Sequence, residues 1–441
     1  VEDLLTLVRD EVEQLAQEGV ERLDADHLLT PIVALSGPER SEALEGLYAD
    51  LAGRAPGPGF PYREPSDLAG ITAARPARPA PLSSPPRAEL QDRILGAWLG
   101  RCAGCTLGKP VEGWRYATIR SYLESAAAWP LQDYIPPDGK LPEGGRIGLD
   151  EAAGVRWGPG QAASLRGHVD GMARDDDIDY TILGLHVLER FGGDFSTADV
   201  GRTWLETLPY GQTYTAERVA YRNLVNGLEP PATATCRNPY REWIGAQIRG
   251  DIWGYVNPGD PDRAATMAYA DAALSHTKNG VYGEQFAAGM IAAALATDDV
   301  EQIVDWGLAV IPARCRLAEG IAEVRAWHRV EPAWEGCRAR IEERYGTYNW
   351  VHTIPNALVV VMALLYGRRR FEETVCIAVA AGWDADCNGA TAGSILGATL
   401  GAAQLPSKWV APLHDRLRSS VVGFDGAAIS DLALRTVGMV S

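Results

Sequence analysis

The stretch from Ala88 to Leu107 reads as a helix, yet it carries glycine at positions 96, 100 and 104, with Gly108 just past its end. Each glycine inside a helix costs about 1 kcal/mol relative to alanine. Residues four apart share one helix face, so the cost falls on a single stripe. Such a stripe persists where a second helix backbone approaches too closely for side chains to fit between. The fold has to supply that second helix.

Two acidic runs impose a further constraint. Asp175-Asp176-Asp177-Ile178-Asp179 opens a segment whose Ile178, Ile182, Leu185 and Leu188 form a buried helical stripe. Far downstream, Gly382-Trp383-Asp384-Ala385-Asp386-Cys387-Asn388 precedes a Gly/Ala-rich stretch of helix length, Cys387 to Ala403. Asp384 and Asp386 therefore fall at a helix N-terminus, where negative charge is favoured. One helix cap needs one carboxylate. Three adjacent aspartates repel one another unless positive charge sits among them, which argues for a hard divalent cation, Mg²⁺ or Mn²⁺, held through oxygen with positions open to water or substrate.

Known acidic motifs fit these runs poorly. Asp175, Asp177 and Asp179 take the first, third and fifth places of a calcium loop, but Tyr180 stands where glycine is required and His186 where the closing glutamate belongs. The D-D-x-x-D of isoprenoid synthases lacks its downstream partner motif. A glycosyltransferase D-x-D at Asp384 and Asp386 needs α/β nucleotide-binding units, and strand-type alternation is scarce here.

The 441 residues are 46% hydrophobic, enough for a substantial core, and the formal charge of −17 argues against nucleic acid as a partner. Seven scattered cysteines are not a disulfide framework, and the lone Cys102-x-x-Cys105 is better explained by packing than by zinc. No apolar run reaches membrane-spanning length, and the first residues do not read as a signal sequence, so a cytoplasmic protein is expected. Residues 1–88 read as an N-terminal helical appendage ending in a Pro-rich linker, and 89–441 as an all-α main domain. Helices are expected near 199–208, 215–227, 239–253, 261–275, 284–296, 300–310, 315–327, 334–344 and 355–367, with 115–170 an irregular rim or lid.

Taken together, Leu95-Gly96-Ala97-Trp98-Leu99-Gly100 through Gly108-Lys109-Pro110-Val111-Glu112-Gly113, the Asp175 to Asp179 run, and Gly382 to Asn388 resemble the ADP-ribosylglycohydrolase family, of the dinitrogenase-reductase-activating glycohydrolase type. The motifs come in the family's order, over about residues 90 to 405. The resemblance implies an orthogonal all-α helical bundle whose two divalent cations, Mg²⁺ or Mn²⁺, serve hydrolysis at C1 of a ribose. It places metal ligands at Asp175, Asp176, Asp177, Asp384, Asp386 and Cys387, the last where the family has threonine. Glu112, Asp177 and Asp386 become the candidates for proton handling. Gly245, Arg249, His276, Asn279, Gly283 and Trp383 become those for substrate binding, although around Gly245 and Arg249 the glycine-rich phosphate loop of the family is thinned. The implied substrate is an ADP-ribosylated protein or small conjugate. Alternatives are a smaller N-riboside or nucleotide-derived metabolite at the same site, and a non-catalytic ADP-ribose-binding relative.

Overall fold

A computed structural model of the chain describes residues 3–140 and 157–440. Their regular structure is helical, and strand-type pairing is limited to two isolated bridges, Met172 with Leu417 and Trp243 with His352. The all-α expectation holds.

At the centre the Arg87–Gly108 helix lies antiparallel against the Ala385–Leu400 helix. Here the glycine stripe finds its partner. A Cβ on Gly100 would fall 2.1 Å from the Gly393 carbonyl oxygen, and one on Gly104 would fall 1.9 Å from that of Gly389. The reverse is equally true, since a Cβ on Gly397 would meet the Gly96 oxygen at 2.0 Å and one on Gly393 the Gly100 oxygen at 2.2 Å. Two glycine stripes thus interlock with backbone against backbone. Around them pack Lys278–Ala294, Thr353–Gly367 and Phe371–Ala380. Thr353–Gly367 is buried along nearly its whole length, as its composition requires.

The N-terminal helices Leu4–Gln17, Ala25–Val33 and Gly37–Ala52 gather an apolar cluster of their own, which extends onto Ala216, Val219 and Tyr240 of the main domain. Beside it lies a buried polar hub. Glu242 accepts from Arg316 Nη2 at 2.6 Å, from Gln14 Nε2 at 2.8 Å, and from the backbone and side-chain amides of Asn279. Arg316 also binds Glu64 of the Pro-rich 53–86 segment and the Gln17 carbonyl. Arg241 donates to Glu11 and Glu18, and Lys278 to Glu18. Buried charges of this kind persist only when each is paired.

Two expectations need correction. Residues 239–253 are not one helix: only a 3-10 turn, Gln247–Arg249, and Asp251–Tyr255 are helical. The backbone before them is taken by distant partners, Ile244 N donating to Val351 O, Thr353 N to Glu242 O and Thr277 N to Arg241 O. Conversely, Tyr116–Ser125 is a regular helix inside the stretch read as irregular, and Ile119, Tyr122 and Leu123 are its buried face. Within the rest of that rim, residues 141–156 lie outside the described residues.

The ladder makes a measurable demand. Gly104→Val should destabilise the chain by at least ~3 kcal/mol in urea unfolding, because a backbone carbonyl cannot give way as a side chain can. Gly46→Ala, where a Cβ meets nothing within 4 Å, should be neutral or stabilising by about 0.5–1 kcal/mol.

Candidate active site

Three segments meet where the two central helices end. The Arg87–Gly108 helix passes through a 3-10 turn, Lys109–Val111, into Glu112. The Asp176–Phe191 helix starts at Asp175, whose Oδ1 accepts the Asp177 N–H at 3.0 Å. The Ala385–Leu400 helix starts at Asp384 and carries Asp386 in its first turn. One oxygen each of Asp175, Asp177 and Asp386, with the Cys105 sulfur, lie within 4.8 Å of one another, and Asp384, Asp386 and Cys387 form a second such group. The two acidic runs converge.

Positive charge here is scarce. Lys109 Nζ pairs with Asp175 Oδ2. Arg101, fully buried, donates to the Asp177 carbonyl at 2.7 Å and carboxylate at 3.2 Å, to Thr181 and to the Ile248 carbonyl, and its Nη1 lies 2.8 Å from Asp251. Burial is the leading cause that pushes Asp177 and Asp384 well above the usual carboxylate range, Asp176 up to about 7 and Asp386 up to about 6, and neighbouring carboxylates add to it. Glu112 sits at the solvent-exposed mouth, and the charge of Asp386, ahead of desolvation, raises its carboxyl well above its ordinary value. Asp175 goes the other way: burial opposes its charge, but Lys109 and the Asp177 N–H hold it low.

Asp384 Oδ1 and Asp386 Oδ1 are buried without a hydrogen-bond partner. Unpaired carboxylate oxygens are costly in a closed interior, and a cation among them removes that cost. The donor set is dominated by oxygen, so the residues fit a hard dication. Burial, with Asp177 next, drives the Cys387 thiol well toward its neutral form, and a neutral thiol is a poor ligand for Mg²⁺ or Mn²⁺. The aspartates carry the site.

Its outer wall is held by groups that the motif reading passed over. Asn356 Oδ1 accepts the Asp384 N–H at 3.1 Å and Asn388 Nδ2 at 2.8 Å, while its own Nδ2 donates to the Trp350 and His352 carbonyls. This fixes the turn before Asp384. In that turn Gly382 and Trp383 both have positive φ, at 89° and 58°, and the Trp383 carbonyl accepts the Gly113 N–H at 3.0 Å. The strained tryptophan is thereby tied to the Glu112 loop. Trp383 is half-buried under the Arg338 guanidinium, 5.0 Å from its ring, and the Trp350 indole packs on Gly113.

The other predicted substrate contacts lie in packed interior. Arg249 spends its donors on Asp271, Glu217, the Gly245 carbonyl and Ser275. A Cβ on Gly245 would strike the Glu217 carboxylate, and one on Gly283 would strike Thr353. His276 Nδ1 pairs with Ser275 Oγ at 2.8 Å, and Asn279 belongs to the Glu242 hub. A shallow depression of about 300 Å³, lined by Leu95, Leu99, Val410, Ala411, Asp415 and Ser430, holds none of the central acids.

The sequence model of the ADP-ribosylglycohydrolase family matches residues 86–439. The chain belongs to the ADP-ribosylglycohydrolase family. Among solved structures, one named "ADP-ribosylglycohydrolase-related protein complex" is similar in fold, at 21% identity and a TM-score of 0.50, over 80% of this chain and 100% of that one. No curated protein matches. As an ADP-ribosylglycohydrolase family member the chain falls among glycosyl hydrolases acting on ADP-ribose-type substrates, and its buried acids are a candidate metal site. No helix among the described residues is long and apolar enough to cross a membrane.

The raised carboxyls of Asp176 and Asp386 have a signed consequence. Between about pH 4 and pH 7 the folded chain binds more protons there than the unfolded one, so these groups contribute stability that fades as pH rises through that window. A divalent ion competes with those protons. In thermal melts with and without Mn²⁺, the ion-induced rise in Tm should be larger near pH 7.5 than near pH 5. An equal rise at both would deny that the acids are the ligands.

Proposed function

We propose that this centre hydrolyses the C1 ribosyl bond of an ADP-ribosylated substrate with the help of bound divalent cation. The observation that carries the reading is the pair Asp384 and Asp386, buried, with orphaned oxygens, and facing Asp175 and Asp177 across the end of the glycine ladder. A Mg²⁺ or Mn²⁺ bound there supplies Lewis-acid charge that fixes vicinal ribose hydroxyls and lowers the pKa of water. The protein's own groups do the rest. Carboxylates around C1 stabilise positive charge developing on the sugar. Glu112, open to solvent and pushed toward its protonated form by Asp386, is placed to exchange a proton with the leaving group or the attacking water. Asp177 is less suited to that role, because Arg101 holds one of its oxygens.

The aglycone end is marked by Trp350, 41% exposed and packed on Gly113 beside Glu112, and by half-buried Trp383. Flat indoles beside the acid centre suit a base or another planar group.

A second reading keeps the chemistry and shortens the substrate to a small N-riboside. It is favoured by Arg249, whose guanidinium is buried and committed within the protein, leaving no free donor there for a diphosphate. Comparing kcat/KM for an ADP-ribosyl conjugate with that for a simple riboside decides between them.

Asp384→Ala combined with Asp386→Ala should lower kcat/KM by at least ~10³-fold on either substrate. Glu112→Gln should lower kcat by roughly 10²-fold or more with little change in KM. Trp350→Ala should raise KM and spare kcat. Retained turnover in the double aspartate variant would end the hydrolase reading.

A further inference from the structure

The first turn of the Asp176–Phe191 helix serves two neighbourhoods. Asp177 gives an oxygen to Arg101 in the interior. Asp176 lies three and four residues before Asp179 and Tyr180, so these three share another face. Arg174 ties that face to the turn at residues 209–214: it donates to Asp179 at 2.8 Å, to the Gln212 carbonyl at 3.1 Å and to the Tyr214 hydroxyl at 3.4 Å. Asp176 is half-buried, and while burial and the Asp175 charge raise its carboxyl, Arg174 is the cation that pulls it down most. The Tyr214 ring lies 6.0 Å from the Arg174 guanidinium and 5.5 Å from that of Arg218, which is itself 5.8 Å from the Tyr210 ring. Tyr214 and Tyr210 are 43% and 39% exposed.

We infer that this cluster is the subsite for the nucleoside diphosphate end of the substrate, Arg174 and Arg218 meeting the phosphates and the Tyr210 and Tyr214 rings the base. This rests on the reading that the acids act on an ADP-ribosyl bond, and it supplies the phosphate donors that Arg249 cannot. A diphosphate brought beside a carboxylate centre, in a chain of net charge −17, needs cations close at hand. Arg174 spends three of its five N–H groups, and Arg218 only one, on the Thr213 carbonyl at 2.8 Å. No carboxylate among the described residues pairs with Arg218. Guanidinium forks match phosphate oxygens, and any planar base stacks on an exposed phenol ring. The Tyr180 hydroxyl, on the Asp176 face, is buried with no partner and adds one more unspent donor. An ADP-ribosyl bond also demands two separate edges, since the leaving group departs from C1 while the diphosphate hangs from C5 of the same ribose. The protein offers one beside each acidic run: Trp383 immediately before Asp384, and Arg174 immediately before Asp175.

Calorimetric titration of the full chain with ADP and with adenosine, in Mg²⁺ buffer, tests the subsite apart from the chemistry. The unaltered chain should bind ADP at least ~10-fold more tightly than adenosine. Arg218→Gln should remove most of that preference. Tyr214→Leu should weaken ADP and adenosine alike, by roughly 5-fold or more. Arg369→Gln, which removes the same charge from an exposed pair with Asp298, should change neither. Equal affinity for the two probes on the unaltered chain would overturn the proposal. So would an ADP preference that survives Arg218→Gln, or adenosine binding untouched by Tyr214→Leu. In each of those cases turnover of an ADP-ribosyl conjugate would still uphold the hydrolase reading. ADP held through Arg218 and Tyr214, with no turnover of any ADP-ribosyl conjugate or riboside, would sink the hydrolase reading and leave the subsite standing.

Discussion

Direct contact between two helix backbones is the constraint on which the rest of this structure depends. Gly96, Gly100, Gly104 and Gly108 lie against Gly397, Gly393, Gly389 and Ala385, and at each rung a β-carbon on the first helix would strike backbone of the second. That closeness fixes register as well as distance. The last rung, Gly108 against Ala385, sits immediately before Lys109 and immediately after Asp384. A slip of one rung would carry the lysine about 6 Å along the axis, away from the acids it faces. The geometry of the acid centre is therefore set by atoms that do no chemistry.

The centre itself gathers what a folding chain normally keeps apart. Asp175, Asp176 and Asp177 on one helix start and Asp384 and Asp386 on another are brought together with Lys109, Arg101 and Arg174 for balance, and of these Arg101 is shared with Asp251 and Arg174 with Asp179. Helix N-termini soften the repulsion without removing it. Such an arrangement lowers stability, and buried like charge of this kind is how functional sites commonly differ from cores.

Much of this was legible beforehand, for physical reasons. Glycine at every fourth helical position announces close approach, while the pairing with Gly389, Gly393 and Gly397 emerges only from the fold. Surplus aspartate announces convergence on something positive. What could not be read is where an arginine points. Arg249 looks like a phosphate ligand until its partners Glu217 and Asp271, distant in sequence, are seen to consume its donors. Residues 239–253 fail for a similar reason, since their backbone amides and carbonyls are claimed by strands of contact to Val351, Thr353 and Thr277 that no local pattern encodes. Nothing in spacing alone marks Lys109 as the partner of Asp175.

The N-terminal helices are joined to the body by more than the chain that links them. Glu11, Gln14 and Glu18 meet Arg241, Glu242 and Lys278 out of water, and Arg316 clasps Glu64 from the strap. Neither half of that joint keeps its charges satisfied alone. A protease that nicked the proline-rich strap would leave two pieces still clasped to each other, and the severed helices would travel with the body through a sizing column as though uncut.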